Sequence, residues 1–203
     1  YSDKSAPALI SRWMPLTGAR RLTVSGTTAY VAGGLSGMHV IDLSDYGNPQ
    51  EAFWYNSDGG YVNNILVSDD KAYMSTHIDT REPLVIFDLE NPLAPKKLGA
   101  IPNDADVFNT AFRSFALENG MAFISGEHGI VSIDLSDSSN PALADLIYLD
   151  IEPNSAAVRG NLFITGPRLQ IFDISDPFHF KQLAAMDNNS SGEAVAFLND
   201  TTV

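Results

Sequence analysis

Apolar residues recur along this chain in short runs with two-residue alternation, and the runs come in sets of four. The first run of each set holds Leu22–Val24, Ile65–Val67, Phe115–Leu117 or Ala156–Val158. A polar turn follows: "SGTT", "SDDK", "ENGM" or "RGN". The second run reads "AYVAG", "AYMST", "AFISG" or "LFITG", and the third carries Val40, Ile86 or Ile171 ahead of an aspartate. The fourth follows the next turn and includes Tyr55, Ile101, Ile147 or Met186. Runs this short, rich in β-branched and aromatic residues and bounded by Gly, Asn and Asp, predict strands. No segment of helical period is long enough to predict a helix.

The third run carries a motif that keeps time. It reads "VIDLSDYGNP" at 40–49, "IFDLENPLAP" at 86–95, "SIDLSDSSNP" at 132–141 and "IFDISDPFHF" at 171–180. Its aspartates, Asp42, Asp88, Asp134 and Asp173, are spaced by 46, 46 and 39 residues. A period of about 40–45 residues built from four short strands is the mark of a propeller blade. The expected fold is therefore all-β: a β-propeller of four-stranded antiparallel blades at about 18–58, 59–103, 109–150 and 153–187. Residues 1–17 align with the end of a motif and residues 188–203 with the start of a first strand, so both ends read as partial blades. An open blade leaves unpaired edges. The expectation is thus a fragment of a larger propeller of six to eight blades, poorly stable by itself.

The strings "HVIDLSD", "LVIFDLENP", "VSIDLSDSSNP" and "LQIFDISDP", with the upstream "VSGTTAYVA" at 24–32, resemble the LVIVD repeat. The resemblance covers the whole chain. It implies a β-propeller of the kind found mostly in exported or surface proteins of bacteria and archaea, and it brings no catalytic motif. The pattern departs at 91–95, where Ser-Asp-Pro gives way to "EN-P", and at 178–180, where the late proline is lost. Both departures put the geometry of the turn after the third strand in question.

Charge and composition narrow the function classes. The 203 residues include 25 acidic and 12 basic side chains, a net charge of −13. Nucleic acid is an unexpected partner, because phosphate contacts need clustered Lys and Arg. No apolar run is long enough to span a membrane as a helix. With no cysteine, disulfides, thiolate metal sites and cysteine nucleophiles are excluded; a cysteine-free chain also suits export.

An aspartate needed in every blade answers to the architecture, so the motif carboxylates are expected to hold turns by accepting backbone N–H groups. No Asp-x-Asp-x-Asp-Gly calcium loop appears, and no Gly-x-Ser-x-Gly elbow. Single-copy polar residues are the better site candidates. The loop "THIDTREP" supplies His77, Asp79, Arg81 and Glu82, and "GEHG" supplies Glu127 and His128. The two histidines fall in matching loops of adjacent blades, where they would hold a metal with a carboxylate or act as an acid–base pair. Arg20, Asn63, Arg113, Asn154 and Glu193 stand near the starts of inner strands, at the expected channel mouth. Two arginines there would clamp a carboxylate or sulfate. His39 aligns with Val85, Val131 and Gln170 and reads as a packing or surface residue, and His179 as a solvated turn residue.

Three readings of function follow. The first is a non-enzymatic binding or scaffold module of an exported, periplasmic or cell-surface protein, with a protein or a small polar ligand as partner and no cofactor. The second is a propeller hydrolase or lyase working at the channel mouth. The third is a structural subunit of an extracellular assembly, which predicts large apolar patches on the outer strands.

Overall fold

The computed structural model describes residues 8–15, 18–56, 60–77, 82–102, 112–126, 129–150, 152–166, 168–186 and 194–197, His77 in its backbone alone. Sixteen strands form four sheets among them. The first holds β1 (Arg21–Ser25), β2 (Thr28–Ala32), β3 (Met38–Asp42) and β4 (Gln50–Tyr55). The second holds β5 (Tyr61–Ser68), β6 (Lys71–His77), β7 (Leu84–Asp88) and β8 (Lys96–Ile101). The third holds β9 (Phe112–Glu118), β10 (Met121–Gly126), β11 (Gly129–Asp134) and β12 (Ala142–Tyr148). The fourth holds β13 (Ser155–Arg159), β14 (Leu162–Gly166), β15 (Gln170–Asp173) and β16 (Lys181–Ala185). Within each sheet the strands pair antiparallel in chain order. The first strands β1, β5, β9 and β13 neighbour one another in turn, which makes the four sheets successive blades of a β-propeller.

The repeated motif explains how each blade closes. The hairpin joining its first two strands has a two-residue loop, with positive φ at both positions in Asp69–Asp70 and in Asn119–Gly120. Such loops match the twist of the strands they join. The carbonyl of the second loop residue is left pointing outward, and the residue after the motif aspartate fills it. Leu43 donates its N–H to Thr27, Leu89 to Asp70, Leu135 to Gly120 and Ile174 to Asn161, all at 2.8–2.9 Å.

The motif aspartate then turns the chain. Its Oδ1 accepts the N–H two residues on, at Ser44, Glu90, Ser136 and Ser175. Three residues further, a second side chain repeats the trick: Asp45 accepts from Gly47, Asp137 from Ser139 and Asp176 from Phe178. These tandem Asx turns satisfy backbone donors that the sheet no longer reaches. The aspartates are architectural, as their recurrence predicts. In the second blade Asn91 accepts from Leu93 at 3.2 Å, so the departure at 91–95 keeps the turn. The fourth blade keeps it too without its proline: His179 N–H reaches the Asp176 carbonyl at 3.1 Å, as Asn48, Ala94 and Asn140 reach theirs at 3.0 Å.

Every fourth strand carries one extra residue opposite the third, a bulge between Val40 and Ile41, Ile86 and Phe87, Ser132 and Ile133, and Ile171 and Phe172. Bulges increase local twist, which suits the outer edge of a blade.

The core lies between blades. Tyr30, Met38 and Val40 meet Ile65, Met74 and Phe87. Tyr73, Leu84 and Ile86 meet Phe115, Ile124 and Ile133. Phe123 and Ile130 meet Phe163 and Phe172. Each interior blade therefore buries both faces, which is why its middle strands read as apolar throughout, as in Ala122–Ile124. Turn prolines tie neighbours: Tyr30 Oη donates to the Pro92 carbonyl at 3.3 Å and Ser132 Oγ to that of Pro177 at 2.7 Å. Among the described residues no helix is long and apolar enough to cross a membrane.

Candidate functional site

Of the residues expected at the starts of the inner strands, Arg20, Asn63 and Arg113 each reach the following blade, whereas Asn154 donates its N–H to the Gly166 carbonyl of its own blade at 3.0 Å and Glu193 lies outside the described residues. Arg20 leads into β1, its N–H bonded to the Ala32 carbonyl at 2.8 Å. Its guanidinium carbon stands 5.0 Å from the centre of the Tyr61 ring on the next blade. Asn63, at an irregularity of β5, sends its amide to the Phe112 carbonyl on the third blade at 2.6 Å. Arg113 in β9 pairs with Glu152, just ahead of the fourth blade, at 3.0 Å. The two arginines expected to form an anion clamp thus each have a protein partner on the following blade. These contacts run from blade to blade in one direction, like stitches along the rim.

Asp79, Arg81, Glu127 and His128 lie outside the described residues, as does the side chain of His77; the pairing of the two histidines stands as an expectation. Glu82, at the end of the first of these loops, bonds to Lys97 Nζ at 2.5 Å. Among the described residues no three His, Asp or Glu side chains gather as metal ligands. His179 is exposed and hydrogen-bonded to Asp176 at 3.0 Å.

The structure assembles a second site that the sequence reading passed over. His39, expected to be a packing or surface residue, is buried in a hydrogen-bonded trio. Its Nε2 lies 2.9 Å from Ser36 Oγ and its Nδ1 3.2 Å from Glu51 Oε1. The trio forms because His39 and Ile41 share one face of β3, Glu51 sits opposite Ile41 on β4, and Ser36 belongs to the tight loop before β3. Gly33 makes the approach possible: a Cβ there would fall 2.3 Å from Ser36 Oγ and 2.9 Å from His39 Nε2. Trp54, opposite His39, donates its indole N–H to the Ser36 carbonyl at 2.5 Å. Trp13 lays its ring edge-to-face on His39, with centroids 5.3 Å apart.

A cavity of about 570 Å³ opens here, lined by Met14, Pro15, Leu35, Ser36, His39, Glu51 and Trp54. It lies on the face of the first blade that carries Ala29, Val31 and Ile41 against Trp13. The signal was present in the sequence. Histidine at position 39 is the odd residue in a column of Val85, Val131 and Gln170. Its place in the apolar third strand made it read as a packing or surface residue, because the strand pattern alone does not show that Ser36 and Glu51 reach it.

The LVIVD repeat model matches residues 18–57, the whole first blade with the trio inside it. None of the curated proteins matches the chain in sequence. Among solved structures, the computationally designed Ika8 protein is similar at 12% identity and a TM-score of 0.69, covering 90% of this chain and 53% of its own. A protein from Lactobacillus plantarum is similar at 11% identity and a TM-score of 0.70, covering 85% and 58%. A chain of the Mitotic Checkpoint Complex follows at 14% identity and a TM-score of 0.63, covering 95% and 61%. The chain therefore spans between half and two-thirds of the length of each. At such identities the likeness concerns the fold alone. Residues 18–57 match the LVIVD repeat, and the chain folds as a β-propeller.

Proposed function

We propose that this chain is a non-enzymatic binding module or scaffold within an exported or cell-surface protein. The observation that carries the reading is the use made of the backbone around Ser36. Ser36, His39 and Glu51 have the order of a nucleophile, a base and an orienting acid. An acyl-transfer site also needs N–H donors aimed at the developing oxyanion. Four of the five N–H groups of this loop are engaged: that of Gly33 donates to Gly37, that of Gly34 to Val62, that of Ser36 to Gly33 and that of Gly37 to Gly34. The Trp54 indole N–H is spent on the Ser36 carbonyl, and Ser36 Oγ lies within 2.7 Å of the Gly33 carbonyl. The trio thus holds a tight loop in place at the lip of a cavity, which is work for a binding site.

The rim contacts support the scaffold half of the proposal. Polar side chains that join one blade to the next stiffen the surface they line, and a pre-organised surface loses less entropy on binding. Export rests on the family resemblance and on a chain with no cysteine.

The test is covalent labelling. The protein is incubated with a fluorophosphonate, which phosphonylates activated serines with loss of fluoride, and then mapped by mass spectrometry. No adduct on Ser36 is the expected result. A stoichiometric adduct on Ser36, lost in His39→Gln, would make the trio a nucleophile site and overturn the reading.

A further inference from the structure

We propose that the cavity beside Trp54 binds a compact organic cation of the alkylammonium class, a ligand assignment that rests on the binding-module reading. Three properties of the cavity converge on it. Its walls are apolar and open to solvent: Met14 is 67% exposed, Leu35 65% and Trp54 53%. Large side chains left this exposed around a concavity mark a surface that gains from being covered. The carboxylate of Glu51, 39% exposed, is the one formal charge in the lining, which includes no lysine or arginine. His39 takes Glu51 Oε1. The indole of Trp54 is held by its bond to Ser36, so a π-surface stands in the same cavity as an anion.

Each alternative ligand class fails on one of these properties. An anion would meet Glu51 and the field of a chain with net charge −13, which repels it at long range. A neutral apolar ligand would fill the walls but strip water from the Glu51 carboxylate and give nothing back. A metal ion would find His39 Nδ1 and Glu51 Oε1 already bonded to each other, and no third ligand gathers among the described residues. A cation carrying methyl or short alkyl groups satisfies all of them. Its substituents pack on Met14 and Leu35, and its charge is shared between the carboxylate and the aromatic face. The volume of about 570 Å³ admits such a molecule with room for water.

The chain supplies its own reporter. Its two tryptophans are Trp54, in the cavity wall, and Trp13, against His39. Intrinsic fluorescence therefore reads this site with little background. The protein is titrated with choline and, separately, with 3,3-dimethylbutan-1-ol, which has choline's shape with a carbon in place of the charged nitrogen. Choline is expected to give a saturable change with a dissociation constant in the millimolar range, about 1–10 mM, as fits a small ligand with few contacts. The neutral analogue is expected to bind at least tenfold more weakly. Glu51→Gln keeps an acceptor for His39 and should lose most of that discrimination. Equal affinity for both compounds would overturn the proposal, as would a flat titration to about 100 mM choline. The comparison of the two ligands needs no variant, so it decides the question even if Glu51→Gln fails to fold. A fluorophosphonate adduct on Ser36 would sink the non-enzymatic reading and leave the cation result standing, whereas a flat choline titration without an adduct would do the reverse.

Discussion

The N–H of Leu135 lies 2.9 Å from the carbonyl of Gly120, and this bond joins the two most regular features of the third blade. Leu135 follows the motif aspartate, and Gly120 closes the first hairpin. The same bond recurs in all four blades, so a motif that looks like a signature of the third strand is a clasp between that strand's end and a turn two strands away. The leucine supplies the donor and Asp134 bends the chain so that it points the right way, accepting the Ser136 N–H at 2.8 Å.

Asp134→Ala should therefore cost about 1 kcal/mol, the usual worth of a hydrogen bond to a backbone donor. For a chain of this size that corresponds to a melting temperature about 2–4 °C lower. Asp134→Asn should cost less, because Asn91 already performs a turn of this kind in the second blade. Thermal melts of the two variants beside the parent decide it. Equal losses would show that the charge matters and the acceptor geometry does not.

The turn carboxylates also set the acid limit of stability. Backbone and hydroxyl bonds from Ser44 hold Asp42 below its ordinary value of 3.8, and those from Ser175 do the same for Asp173. The Ser139 hydroxyl and N–H lower Asp137, and His179 with the Phe178 N–H lowers Asp176. A carboxyl whose folded pKa is depressed adds stability above its unfolded value, and that stability is lost as pH falls through the folded value. The melting temperature should hold steady above about pH 5 and drop as the pH passes below about 4. Changing Asp42, Asp137, Asp173 and Asp176 together to Asn should flatten that drop. An unchanged acid limb would mean that other carboxylates set it.

The stitches along the rim differ in weight. Asn63 fills the carbonyl of Phe112, a residue almost fully buried, whereas Glu152 pairs with Arg113 in the open, its side chain 67% exposed. Asn63→Ala leaves a shielded acceptor unfilled and should cost about 1–2 kcal/mol. Glu152→Gln should cost less than about 1 kcal/mol, the ordinary worth of an exposed ion pair. Chemical denaturation of both variants tests the ranking. A larger loss at Glu152 would mean that the pair anchors the fourth blade.

Gly33→Ala should be damaging out of proportion to one methyl group. The new Cβ would need space already held by Ser36 Oγ and the His39 ring, and overpacking of this kind costs about 1–3 kcal/mol. The variant should also shift tryptophan emission, because Trp54 is bonded to the same loop. An unaltered spectrum and melt would show that the loop relaxes freely and that the trio is loosely held.

How much of this was legible beforehand follows from the physics of repetition. The strands, the four-strand period and the role of Asp42, Asp88, Asp134 and Asp173 were readable, because each depends on contacts within about 20 residues of chain and is written four times over. Alternation, turn residues and spacing are local quantities, and a local quantity that repeats stands out from noise. Even the turns at 91–95 and 178–180, where the pattern breaks, obey the same local rule once the acceptor is recognised as Asx chemistry.

The site belongs to the other category. Nothing in the spacing of Ser36, His39, Glu51 and Trp54 announces that they meet, since Glu51 and Trp54 reach the histidine only through the register of β3 on β4 and the bulge between Val40 and Ile41. Burial then completes the trio: Trp13, more than twenty residues earlier in the chain, covers His39 and so turns a solvated polar group into a held one. The partners of Arg20, Asn63 and Arg113 were hidden for a related reason, because each lies on the next blade, 39 to 49 residues further along. By itself the sequence determined the blade and its turns, whose energetics are settled between near neighbours. Only the tertiary structure decided which polar groups share a space, because that depends on how one sheet lies against the next.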